Sequence, residues 1–210
     1  MRRFSGSGDL RDDVADPAAA RTNLAALAAG ADGLLVFPPN SWRSATPMTV
    51  SSNIIAISRD ATTAPLMLYA APIGAGAMAY APSLLERLVA DPRFVAIKEA
   101  SWEVASYEQN LRLIRLRPEF VVLGSGDEYL LTSYLVGSAG RQVSLACVVP
   151  ELVVSLWNAA EAGDWEQARA VHEKLYPLAV AIYGDAPGGR ATLRLKACWS
   201  GCCSASPLRR

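Results

Sequence analysis

The chain has 210 residues, 51% of them hydrophobic, with 20 basic residues set against 20 acidic ones. That length carries one substantial core or at most two small domains, and one domain is the simpler expectation. The charge balance leaves no electrostatic footprint for nucleic acid or an anionic membrane surface, and no apolar run reaches membrane-spanning length. The opening MRRFSGSGDLRDD lacks the apolar centre of a signal peptide, so a soluble, cytoplasmic protein is expected.

In chain order, apolar runs of strand length alternate with helix-period segments: GLLVF (33–37), PLMLY (65–69), FVAIK (94–98), FVVLG (120–124) and VSLACVV (143–149). The strand-to-strand intervals, roughly 22 to 32 residues, suit parallel strands joined by helical crossovers. Between them, Thr46 and Pro47 open a helix with Val50, Ile54 and Ile57 on one face. Pro82 begins a second with Leu84, Leu85, Leu88 and Val89 turned inward, and Val104, Tyr107, Leu111 and Ile114 space a third. Gly137 stops a helix that starts near Asp127. Two further helices follow the last strand, the second with Asp164 at its N-cap. The stretch from Ala186 begins with helical potential and ends in small polar residues, so a frayed tail over 186–210 is expected, after a domain over 1–185. Strands without polar alternation imply a parallel sheet covered on both faces, as in a barrel or a doubly wound sheet. In either, Lys98, Tyr69 and the GSGDE turn (124–128) fall at the carboxyl ends of the strands, where α/β folds place their sites.

The apolar strand FVAIK drives straight into Lys98. A lysine attacks a carbonyl only when unprotonated, and apolar surroundings disfavour the ammonium form. Tyr69, at the end of the preceding strand, can reach Lys98 if the two strands are neighbours, because adjacent strands lie about 4.8 Å apart. A phenol there can shuttle protons to a carbinolamine. The bland alternative is a solvated or ion-paired lysine beside a packing tyrosine. Glu99 points to the opposite face of the strand and suits a packing or rim partner.

Four segments, GADGLLVFPP (30–39), PLMLYAAP (65–72), FVAIKEAS (94–101) and GSGDEYLL (124–131), together resemble the dihydrodipicolinate synthase / N-acetylneuraminate lyase family of class I aldolases over about residues 17–195. The resemblance implies a (β/α)8 barrel, partial here, in which Lys98 forms a Schiff base with pyruvate or another 2-keto acid and Tyr69 is the acid–base residue. It also implies that the backbone at Val143 and Ser144 lies near the keto-acid carboxylate, and that Gly126, Asp127 and Glu128 contact substrate hydroxyls where the substrate is a sugar acid. For Asp127 and Glu128 the alternative is simple support of a helix N-terminus.

The chain departs from that family in several places. The Gly-Thr-Thr-Gly-Glu turn of the family is absent from the sequence, and residues 5–30 read as the end of a third strand and its helix, so that strands four to eight are expected here. Asn40, Ser41 and Trp42 stand where synthases place a relay tyrosine, and YAAPIGAGAMAY lacks their arginine, which argues against aspartate semialdehyde as second substrate. The loop GSAGRQVS (137–144) is one residue longer than usual. Unpaired edge strands invite self-association, so a homo-oligomer is expected, unless the chain is an inactive, truncated remnant.

No metal and no cofactor are expected. Cys198, Cys202 and Cys203 form a C-x3-C-C run with no second cluster, and His172 sits on a polar helix face. GAGA (74–77) lacks the spacing of a dinucleotide loop.

Overall fold

The structure, a computed structural model, describes residues 32–36, 63–71, 79–184 and 189–205, with the side chains of the last segment described over 191–200. The expected helix from Thr46, the segments 5–30 and 40–42, and GAGA (74–77) lie outside the described residues. The chain divides into two compact units, one ending at Leu123 and one beginning at Gly124.

The first unit is built on parallel strands. β1 (Leu34–Val36), β2 (Leu66–Ala70), β3 (Phe94–Glu99) and β4 (Val121–Gly124) lie side by side in chain order. β1 pairs with β2 and β2 with β3, both in parallel. Their apolar runs are buried because both faces of such a sheet are covered. Leu66, Leu68, Phe94 and Ile97 are almost wholly withdrawn from solvent. Each such side chain stabilises the fold by about 1.5–3 kcal/mol.

Helix α1 (Pro82–Ala90) begins on a proline whose missing N–H would have had no partner in the first turn. Its buried residues are Leu84, Leu85, Leu88 and Val89, as the spacing requires. Helix α2 (Val104–Ile114) is capped by the Glu103 carboxylate, which accepts from the N–H groups of Ala105 and Ser106. Tyr107, Leu111 and Ile114 are buried, whereas Val104 in the first turn is exposed, so the inward face begins a turn later than its spacing predicts. Arg117, just past α2, donates from one guanidinium nitrogen to the carbonyls of Val89, Asp91 and Phe94. It thereby satisfies oxygens left open where α1 stops and β3 starts.

The second unit is helical. The strand β4 leads into a single turn of 3-10 helix at Asp127–Tyr129 and then α3 (Leu130–Leu135), which Gly137 ends with a φ of 101° that suits glycine. The segment 143–149 does not form the expected strand. Pairing alongside β4 is confined to one bridge, Gly124 with Arg141, and the chain then coils into a 3-10 turn at Ser144–Cys147. The reason is local: the Asp127 carboxylate takes the N–H groups of Ser144 and Leu145, and Leu145 is fully buried in the helical core.

Helices α4 (Pro150–Glu161), α5 (Trp165–Tyr183) and α6 (Gly189–Ala205) complete the unit. Asp164 caps α5 by accepting from Gln167 N–H, as expected. Leu156, Val171, Leu175 and Ile182 supply the core between helices. Within the segment expected as a tail, α6 runs from Gly189 through Ala205. Ala191 packs into the core, and Arg194 donates to the carbonyls of Ala181 and Ile182 in the last turn of α5.

Candidate functional site

Lys98 and Tyr69 come together in the first unit. Strands β2 and β3 are neighbours, Tyr69 stands directly opposite Lys98, and the ammonium nitrogen lies 5.5 Å from the centre of the phenol ring. Both side chains are half-buried at the carboxyl end of the sheet.

The alignment depends on an irregularity. Leu66 pairs with Phe94, but Met67 pairs with Ala96, so Val95 is passed over. This one-residue bulge advances β3 against β2. Without it Tyr69 would oppose Ile97, whose side chain leaves the other face of the sheet.

Glu99 is on that other face. It is 0% exposed and accepts hydrogen bonds from Ser101 N–H and from Asn110 Nδ2 of α2. Burial raises its carboxyl above the ordinary value, against the lowering effect of the bonds from Ser101 and Asn110. The residue thus fastens the end of the lysine strand to the following helix and points away from Lys98.

The remaining sequence-predicted residues belong to the second unit. Asp127, 4% exposed, holds the segment 143–149 in place: Leu145 N–H donates to one carboxylate oxygen at 2.7 Å and Ser144 N–H to the other at 3.4 Å. Its observed partners are therefore amides of the same backbone stretch that carries Val143 and Ser144. Gly126, at a φ of 88°, makes the turn that aims Asp127 at them. Glu128 is half-buried, and burial, with the neighbouring Asp127 charge, raises its carboxyl.

Two residues of this unit were not anticipated. Tyr183, at the end of α5, has its hydroxyl among Ser144, Asp127 and Glu128, and burial with these carboxylates pushes its phenol up to about 12. Arg141 donates to the carbonyls of Ser125, Gly126, Tyr129 and Leu130 and to the Ser133 hydroxyl, and its guanidinium lies 4.8 Å from the Tyr134 ring. The long loop GSAGRQVS is pinned by this arginine to the GSGDE turn. Tyr183 could have been suspected from its place at the end of an amphipathic helix. Arg141 offers no such signal, because a loop arginine reads as a solvated charge.

Among the described residues no group of three His, Cys, Asp or Glu side chains converges as a metal site would require, and no helix is long and apolar enough to cross a membrane.

The parallel α/β sheet with helices packed along it is part of a (β/α)8 barrel scaffold. The comparison with known families agrees, since residues 16–189 match the model of the dihydrodipicolinate synthetase family. The chain belongs to that family. It is 32% identical over 189 residues to 4-hydroxy-tetrahydrodipicolinate synthase 1 of Streptomyces coelicolor, covering 90% of this chain and 58% of the relative. It is 38% identical over 125 residues to the synthase of Thermodesulfovibrio yellowstonii, covering 59% and 42%. Among solved structures, dihydrodipicolinate synthase from Bacteroides thetaiotaomicron superposes with a TM-score of 0.76 at 28% identity, over 86% of this chain and 61% of that one. YagE, an E. coli K12 prophage protein of the family solved in complex with pyruvate, matches in fold with a TM-score of 0.72 at 22% identity, over 89% and 70%. The chain thus spans about half the length of the curated relatives it matches.

Proposed function

We propose that the chain is a Schiff-base-forming lyase or aldolase acting on pyruvate or another 2-keto acid, with Lys98 as nucleophile and Tyr69 as general acid–base. The observation that carries this reading is the register of β2 against β3, which sets Tyr69 opposite Lys98 with the nitrogen 5.5 Å from the ring. The unprotonated Lys98 amine attacks the ketone carbon to give a carbinolamine. Tyr69, as acid, protonates the departing hydroxyl, and water leaves as the C=N bond forms. The iminium then withdraws electrons from the adjacent carbon, so a proton or a carbon fragment can leave or join there without metal or cofactor.

In this reading the Val143–Ser144 backbone holds the keto-acid carboxylate, and Asp127 keeps that backbone in place. Gly126 and Glu128 remain candidates for contact with hydroxyls of a sugar-acid substrate. A homo-oligomer and a cytoplasmic location belong to the same reading, and family membership supports them.

The test is incubation with pyruvate and borohydride, followed by intact mass and peptide mapping. A reduced pyruvyl adduct on Lys98, lost in Lys98→Met and slowed in Tyr69→Phe, is the expected result. An unlabelled chain, under conditions that label a full-length relative, overturns it and leaves an inactive remnant of the family.

A further inference from the structure

Lys98 is presented by a backbone that is fastened immediately behind it. The pairing that sets Tyr69 opposite Lys98 continues one residue further, with Ala70 opposite Glu99, and Ala100 N–H donates to the Ala70 carbonyl at 3.1 Å. These bonds lie in the plane of the sheet and set register. They hold the roll of β3 about its own axis less firmly, since the twist between adjacent strands ranges over about 10–35°. A change of roll within that range carries the tip of a side chain as long as lysine's by roughly an ångström or more.

A second set of bonds opposes that roll. Glu99, wholly buried, accepts from Asn110 Nδ2 at 3.1 Å and, with each carboxylate oxygen, from Ser101 N–H at 3.3 Å. Asn110 belongs to α2, which is seated by the burial of Tyr107, Leu111 and Ile114 and packs beside α1. Successive strand side chains leave opposite faces, so a fixed direction for Glu99 is a fixed direction for Lys98. Rolling β3 to carry Lys98 away from Tyr69 would pull the carboxylate off Asn110. The connection beyond is held as tightly. Glu103 caps α2, and Trp102 before it keeps a φ of 55°, which a large side chain retains only where its surroundings impose it.

We propose that Asn110 is a positioning residue for the nucleophile: through the Glu99 carboxylate it fixes the direction in which β3 presents Lys98 to Tyr69. The inference rests on the Schiff-base reading above and adds to it a residue from the far side of the sheet. Because Asn110 works from that side, its loss should slow formation of the adduct rather than weaken the hold on pyruvate.

The full chain is mixed with pyruvate and borohydride, and the rate of adduct formation at Lys98 is followed by intact mass over a range of pyruvate concentrations, with thermal unfolding in parallel. Asn110→Ala should lower the rate at saturating pyruvate about 10-fold, short of the roughly 100-fold that an ångström of misplacement can cost. The half-saturating pyruvate concentration should stay within about 2-fold, since a residue that acts on geometry alone moves rate and not affinity. Asn110→Leu fills the same space without a donor and serves where the alanine variant fails to fold. Asn110→Gln, which keeps an amide donor, should recover most of the rate. The decisive variant combines Tyr69→Phe with Asn110→Ala. If Asn110 acts by holding Lys98 against the phenol, the pair should be within about 2-fold of Tyr69→Phe alone, whereas independent effects at distant sites would multiply. A multiplied loss, an undiminished rate without the donor, or a glutamine variant as slow as the alanine one overturns the proposal. No adduct in the unsubstituted chain overturns the Schiff-base reading and this inference with it, whereas an adduct whose rate ignores Asn110 overturns this inference alone.

Discussion

Replacing Asp127 separates a carboxylate that holds the protein from one that holds a substrate. Its two bonds, 2.7 Å from Leu145 N–H and 3.4 Å from Ser144 N–H, are of unequal strength, and the first carries most of the energy. Asp127→Ala removes a charge-assisted bond and leaves a buried amide without its acceptor, a loss of about 2–3 kcal/mol. Asp127→Asn retains an oxygen for Leu145 N–H and should lose about 1 kcal/mol. With a urea m-value of about 2 kcal/mol per molar, the alanine variant's unfolding midpoint falls by roughly 1–1.5 M and the asparagine variant's by roughly half that. The assay is urea denaturation followed by circular dichroism, with the pyruvate dependence of borohydride labelling measured in parallel. On the proposed reading, in which the Val143–Ser144 backbone holds the keto-acid carboxylate, labelling by Asp127→Ala should require more pyruvate and Asp127→Asn should label as the unsubstituted chain does. An alanine variant whose midpoint moves by less than ~0.2 M would refute the reasoning, since an amide of ordinary burial cannot be orphaned so cheaply.

Tyr183→Phe addresses the alkaline limb. The folded phenol is raised from 10.0 to about 12 by burial, so its contribution is full below pH 10 and is lost as pH rises through about 12. The unsubstituted chain should lose stability steeply across that window in chemical unfolding, and the phenylalanine variant less so. Glu99→Gln addresses the acid side. Burial raises this carboxyl above 4.5, so its stabilising contribution is complete below that pH and vanishes as pH rises through the higher folded value. Stability profiles measured from pH 4 upward should fall in the unsubstituted chain relative to Glu99→Gln, and parallel profiles would count against the assignment. Arg117→Ala strips three carbonyls of a charged donor and should cost about 1.5–3 kcal/mol, read as a lowered Tm with the Lys98 adduct retained.

The elements that sequence predicts well are those whose pattern and burial point the same way. Leu84, Leu85, Leu88 and Val89 lie on one stripe behind a proline, and the helix could bury nothing else. Asp164 before an amphipathic run is a cap in sequence and in structure. The segment 143–149 differs because a short apolar run has no preferred period; a carboxylate sixteen or more residues upstream decides between strand and turn. The carboxyl-terminal helix was obscured in a similar way. Its small residues carry little pattern, and what extends it includes Ala191 in the core and Arg194 on carbonyls of α5, tertiary contacts with no local signature.

The site divides along the same line. Lys98 is conspicuous because an apolar strand ending on an amine needs an explanation, and Tyr69 follows from the adjacency of consecutive βα units. Their alignment is a different matter. Burial alternation specifies which face each side chain takes, but it does not specify the offset between two parallel strands of uniformly apolar character. One residue of slip, absorbed at Val95, separates a tyrosine abreast of the lysine from a tyrosine facing an isoleucine. Such a bulge leaves no mark in composition, because Phe94, Val95 and Ala96 would read as strand in either register. The chemistry proposed for this chain thus rests on residues that sequence reveals and on a register that only tertiary packing imposes.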